Sequence, residues 1–146
     1  MKRPGYKINV MIKEGLAVGP KTLLVQAAQA ALEIEGAPSG AAVNLLITDD
    51  KDITKLNSRF LGRNRPTDVI AFGSKGKGLL GEIAISADTA RYNARQFKTT
   101  SDKEIFLYII HGILHLLGYD DEGKKEKALM EKRQAFILGQ VCRSNS

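Results

Sequence analysis

The chain has 146 residues, of which 43% are hydrophobic and 26% charged, and it carries a net charge of +6. A chain of that size and balance is expected to be one soluble globular domain over residues 1–146. No stretch reaches the ~20 apolar residues of a membrane span, no apolar leader core follows the basic start Met1 to Lys7, and Cys142 has no second cysteine with which to form an internal disulfide.

In chain order, Tyr6 to Ile12 alternates apolar and polar residues and reads as a half-buried strand. Lys21 to Glu35 is rich in Ala and Leu behind Pro20, the pattern of a helix with proline near its start. After the turn cluster Gly36 to Gly40, Ala41 to Thr48 reads as a second strand. Asp49 or Asp50 then caps a helix to about Leu61. A basic loop, Gly62 to Pro66, leads to a strand at Asp68 to Phe72. Leu79 to Ser86 returns as its hairpin partner across a glycine- and lysine-rich tip. Lys75 and Lys77 in that tip keep it soluble or touch phosphate. Helices are expected at Ala87 to Phe97, at Ser101 to Leu117 behind a Ser101/Glu104 capping box, and at Glu122 to Val141. Along the last, Lys124, Lys125, Lys127, Lys132 and Arg133 alternate with Glu126 and Glu131, as in pairing within a helix. The expected fold is α/β (α+β): a small mixed four-stranded sheet covered by about five helices.

The chain has only two histidines, His111 and His115, four apart on the fourth helix. At about 100° per residue they lie on one side, opposite a stripe of Ile105, Phe106, Ile109, Ile110, Ile113, Leu116 and Leu117. His111, His115, Gly118 and Asp121 stand at i, i+4, i+7 and i+10, the ligand spacing of the extended zinc-protease motif. Glycine ends such a helix because it enters the left-handed conformation without a Cβ penalty. Two imidazoles and one carboxylate leave the fourth position of a tetrahedral zinc to a water that turns into the attacking hydroxide near neutral pH. Asp120 or Asp121 also suits the cap of the next helix. A peptidase of this kind places its general-base Glu directly after the first histidine. That position is Gly112.

The segment His-Gly-Ile-Leu-His-Leu-Leu-Gly-Tyr-Asp, residues 111 to 120, resembles the signature of the YbeY endoribonucleases. So do Leu56-Asn57, the stretch Arg65 to Phe72, and Gly81 to Ser86; the likeness runs in order over about residues 43 to 121. The resemblance implies an α/β, single-strand-specific metallo-endoribonuclease. It implies one zinc ion, a role in ribosomal RNA maturation and ribosome quality control, and single-stranded RNA and the small ribosomal subunit as partners. Neither DNA nor a membrane is expected as a partner, and the expected location is cytoplasmic. The implied metal ligands are His111, His115 and Asp121, the last standing where the family has a third histidine. The family's RNA-contacting arginine is Leu61 here, and leucine supplies neither charge nor donor fork. Arg59, Arg63 and Arg65 are the candidates to substitute for it. Glu104, two turns before His111, can support a ligand or simply face solvent. Two other readings stay open: an assembly factor with a structural zinc, and a zinc hydrolase acting on another substrate such as a peptide.

Overall fold

The computed structural model describes residues 5–74, 76 and 78–144. Its elements are β1 (Lys7–Ile12), α1 (Lys21–Ile34), β2 (Ala42–Thr48), α2 (Asp50–Leu61), β3 (Val69–Gly73), β4 (Leu79–Ser86), α3 (Ala87–Gln96), α4 (Ser101–Leu116) and α5 (Lys124–Ser144). These are the expected four strands and five helices, within a few residues of the bounds read from sequence. Lys75 and Lys77 lie outside the described residues. Among the described residues no helix is long and apolar enough to cross a membrane.

The sheet order is β1-β2-β4-β3, with β1, β2 and β4 parallel and β3 antiparallel to β4 as the expected hairpin. Strand side chains alternate between two unequal faces. Val43, Leu45, Ile47, Ile83 and Ile85 enter the large core with residues of α1, α3, α4 and α5. On the other face Ile53 of α2 meets Ile70 and Ala84 in a much smaller cluster. The β1 residues on that face, Lys7, Asn9 and Met11, stay exposed.

Helix α4 is the centre of the molecule and packs on α1, α3, α5, β3 and β4. Fully buried Ala27, Ala28 and Ala31 let α1 come close to it. The expected apolar stripe is buried at Ile105, Phe106, Ile109, Ile110 and Ile113, but burial also takes in Glu104, Tyr108, Gly112 and Leu114. The face opposite the stripe is therefore no solvent face. Neighbouring helices and strands close it except at a cleft where the two histidines emerge half-buried.

Three sequence expectations change here. The cap of α4 is Thr100, whose side chain accepts from the Lys103 backbone N–H at 3.1 Å, instead of Ser101. Three hydroxyl residues, Thr99, Thr100 and Ser101, run together, and the middle one takes the extended backbone a cap requires. Glu104 consequently sits inside the helix, only 8% exposed, neither solvated nor capping. It lies by Tyr108, whose phenol burial pushes up and which accepts a 2.7 Å hydrogen bond from Asn93 Nδ2. Lastly, Arg133 reaches across to Glu35 beyond the end of α1, at 2.5 Å, instead of pairing within α5.

Candidate metal centre

The end of α4 is built by a glycine turn. Gly118 has φ +105°, the Gly118 N–H donates to His115 C=O, and the Tyr119 N–H donates to Leu114 C=O, both at 3.0 Å. This pair of bonds is a Schellman motif, which satisfies the last carbonyls and reverses the chain. The reversed segment is then anchored. Tyr119 Oη donates to Glu35 Oε1 at 2.5 Å, and Arg133 Nε donates to Glu35 Oε2 at 2.9 Å. Glu35's side chain is only 6% exposed, so this charge-assisted cluster fixes the turn to α1 and α5 together.

Asp120 and Asp121 part company beyond that turn. Asp120 accepts from the Glu122 backbone N–H at 3.2 Å, while Asp121 faces the histidines. His111, His115 and Asp121 each offer a ligand atom within 4.8 Å of the others, and His115 Nε2 stands 4.0 Å from Asp121 Oδ2. The imidazole rings meet edge to face with centroids 4.6 Å apart. Gln134 Oε1, on α5, accepts from His111 Nδ1–H. That bond fixes the tautomer and leaves Nε2 as the available donor, as partners of metal-binding histidines usually do. Burial lowers the pKa of His115, aided by the neighbouring His111 and opposed by Asp121. The imidazole is thereby kept in its neutral, coordinating form.

These residues suit a divalent ion. Donors about 2.0–2.2 Å from zinc in a tetrahedron stand roughly 3.4 Å apart, and Asp121, whose side chain is half exposed, has room to close the remaining distance. The cleft holding them is about 440 Å³ and is walled by Val69, Ile70, Ala71 and Gly73 of β3, with Leu61 and Arg63 at its rim.

Of the three arginines, only Arg63 lines this cleft. Arg59 lies on the open sheet face, its guanidinium carbon 5.4 Å from the centroid of the Phe60 ring. Arg65 is exposed, and its carbonyl accepts from Nδ2 of buried Asn57 at 2.9 Å, which ties the loop to α2. Gly112 has a steric role: a Cβ there would meet Ile83 side-chain carbons at 2.8 Å. Helix α4 rests against β4 at that point, so a carboxylate side chain next to His111 would have to displace buried Ile83. Sequence reasoning missed Gln134 and Glu35, for which a charged helix and a helix end gave no signal.

A helix-borne histidine pair joined by a carboxylate across a glycine turn, beside the edge strand of a mixed sheet, defines a candidate metallohydrolase centre. Comparison with known proteins narrows that class. The model of the family Endoribonuclease YbeY matches residues 16–142. The Endoribonuclease YbeY of Chloroflexus aggregans is 36% identical, covering 91% of this chain and 94% of the relative. That of Syntrophotalea carbinolica is 42% identical, covering 69% of this chain and 73% of the relative. The solution structure of TM1509 from Thermotoga maritima superposes with a TM-score of 0.67 at 34% identity, covering 94% of this chain and 93% of that one. The chain belongs to the Endoribonuclease YbeY family.

Proposed function

We propose that this chain, as one metallohydrolase domain over residues 1–146, is a single-strand-specific endoribonuclease that holds one zinc ion through His111, His115 and Asp121. Its proposed setting is cytoplasmic: maturation of ribosomal RNA at the 3′ end of the small-subunit RNA, and ribosome quality control. Single-stranded RNA and the small subunit are its proposed partners. The observation that carries the reading is the convergence of three donors in one cleft, with His111 oriented by Gln134. When bound, zinc supplies Lewis acidity toward a phosphoryl oxygen and lowers the pKa of a water.

The chain's own residues do the rest. His115 stays neutral, Gln134 holds the His111 ring, and the Tyr119–Glu35–Arg133 cluster holds the turn that presents Asp121. Arg63 at the rim offers a permanent charge and planar donor fork to phosphate, and the net charge of +6 draws the polyanion in.

The test combines metal analysis with cleavage. The purified protein should carry about one zinc per chain and cut single-stranded but not duplex RNA, and a chelator should stop it. Asp121→Ala should lose both metal and cleavage; retained zinc in that variant would remove Asp121 from the ligand set.

A second reading rests on Leu61, which lines the cleft where the family's arginine stands. It is an assembly factor whose zinc is structural and whose nuclease activity has faded. Binding to small subunits without any cutting of RNA, not restored by Leu61→Arg, would favour it. The peptidase reading loses ground, because the position after His111 is a glycine with no carboxylate, packed against Ile83.

A further inference from the structure

The open face of the sheet beside α2 forms a second concavity, of about 850 Å³. It adjoins the metal cleft: both are lined by Gly73, and Phe60 of one precedes Leu61 of the other. One register row, Asn9, Asn44, Glu82 and Phe72, crosses its floor through all four strands, and Met11, Leu46, Leu56 and Ala84 line it alongside. At a strand spacing of 4.7–4.9 Å that row is roughly 14 Å long.

The far end of the row is polar. Asn9 Nδ2 donates to Asn44 Oδ1 at 3.0 Å, and Asn44 Nδ2 reaches Glu82 Oε1 at 3.5 Å. Each of these groups has further donor or acceptor capacity. The near end is aromatic. The Phe60 and Phe72 rings lie 4.9 Å apart, tilted by 58°, and Phe60 is 54% exposed with Arg59 beside its ring.

Flat apolar rings, one arginine and a row of hydrogen-bonding side chains on an exposed sheet match the chemistry of nucleotides. Single-stranded RNA is read on sheets by aromatic stacking and by hydrogen bonds to splayed base edges. An apolar row, Met11, Leu46 and Ala84, runs beside the polar one, but a protein helix laid over this face would have to bury Asn9, Asn44 and Glu82 with it. The Glu82 carboxylate repels phosphate, so bases and not backbone suit the middle of the row, while Arg59 suits a phosphate at its margin.

We propose that this face is a base-stacking subsite for the RNA strand that enters or leaves the metal cleft, passing around the sheet edge at Gly73. It rests on the endoribonuclease reading for its ligand. Phe60 and Phe72 stack the first base outside the cleft, and Asn9, Asn44 and Glu82 meet the edge of the next. Since Arg63 is the one cation lining the cleft among the described residues, this second surface supplies grip on the strand that Leu61 does not.

The experiment uses the full-length, zinc-loaded protein and a fluorescein-labelled 2′-O-methyl RNA octamer, checked by gel to remain uncut. Phe72 also packs on the smaller core, so the informative site is surface-exposed Phe60. Phe60→Ala should weaken octamer binding about tenfold by anisotropy, and Phe60→Tyr, which keeps the ring, should restore it. Competition by a dinucleotide, which fills the cleft alone, should be the same for all three proteins. Unchanged octamer affinity in Phe60→Ala overturns the proposal, as does an equal loss for the dinucleotide. So does a parent that sediments as a dimer and a Phe60→Asp variant that sediments as a monomer, since a second copy would then own the face. The endoribonuclease reading is tested apart: a parent that leaves unmodified RNA intact sinks that reading, while a Phe60-dependent octamer affinity would still locate the strand.

Discussion

Two clusters of polar side chains border this sheet, and they differ in how they use their lone pairs. At the carboxyl ends of β2 and β4, Asp49 caps α2 and Ser86 caps α3. Asp50 Oδ1 accepts from Ser86 Oγ at 2.5 Å and Thr89 Oγ1 at 2.7 Å, while the Asp50 N–H donates to Asp88 Oδ2 at 2.9 Å. The starts of two helices are thus laced into each other. In the cleft at the end of α4, by contrast, His115 Nε2 and Asp121 Oδ2 face each other at 4.0 Å, too far for a hydrogen bond. Open α/β sheets usually bind ligands at the carboxyl ends of their strands. Here that end is closed by its own caps, and the donors that face one another unbonded lie beside edge strand β3. A cluster of polar residues is a site only where its donors are left over.

The largest effects should separate the two clusters outright. His111→Ala or His115→Ala should bring metal content to near zero and RNA cleavage to background, whereas Asp50→Ala should leave both as in the parent. Metal loss in Asp50→Ala would break the contrast. Gln134→Leu removes the acceptor on His111 Nδ1 and should weaken metal binding roughly 10–100-fold, measured by chelator competition. Gly112→Ala drives a methyl into Ile83 and should cost about 1–3 kcal/mol in chemical denaturation. Ile83→Ala alone empties a buried core position and should cost about 2–5 kcal/mol, and the double variant should lose less than the sum of the two, because the positions are in contact.

The sequence carried the element order because alternation, Pro20 and the glycine turns are local signals, and each acts within a turn or a strand. The ligand triplet was legible for the same reason: His111, His115 and Asp121 are joined by one helix and one Schellman turn, so their spacing already encodes their meeting. Residues that arrive from distant elements were not legible. Gln134 reaches His111 from α5, Glu35 anchors Tyr119 from beyond α1, and Arg59 and Arg63, four apart, end on different surfaces because α2 stops between them at Gly62, with φ +68°. The stripe on α4 was read as one-sided because periodicity counts apolar residues. It does not count the helices and strands that pack around α4 from every side and bury Tyr108, Gly112 and Leu114.

Among stability effects confined to the closed end, the Asp50→Ala variant should lose about 1 kcal/mol, as two hydroxyls lose their acceptor. The smallest effect, and the sharpest mark of that end, is its response to acid. Lys13 Nζ lies 2.8 Å from Asp49 Oδ2 and 3.0 Å from Asp52 Oδ2, tying β1 to the start of α2. The lysine hydrogen bond holds the Asp49 carboxyl below its ordinary value, aided by the Asp52 backbone N–H; Asp52 is held down by Lys13 and then by Thr48. Lys13 is raised in turn, chiefly by its bond to Asp49. A carboxylate whose pKa falls on folding adds stability above its unfolded value, and that stability drains away as pH drops through the folded one. For the raised lysine the sense reverses: its contribution is complete below its ordinary value and fades only in strong alkali. Parent and Lys13→Met should therefore differ in unfolding midpoint at about pH 7, and the difference should shrink as pH falls below the ordinary carboxylate range and through the lowered values of Asp49 and Asp52. The difference between the two proteins cancels whatever the histidines contribute, since both carry the same cleft. A gap that persists undiminished in acid would mean that Lys13 acts through its packed stem and not through its charge.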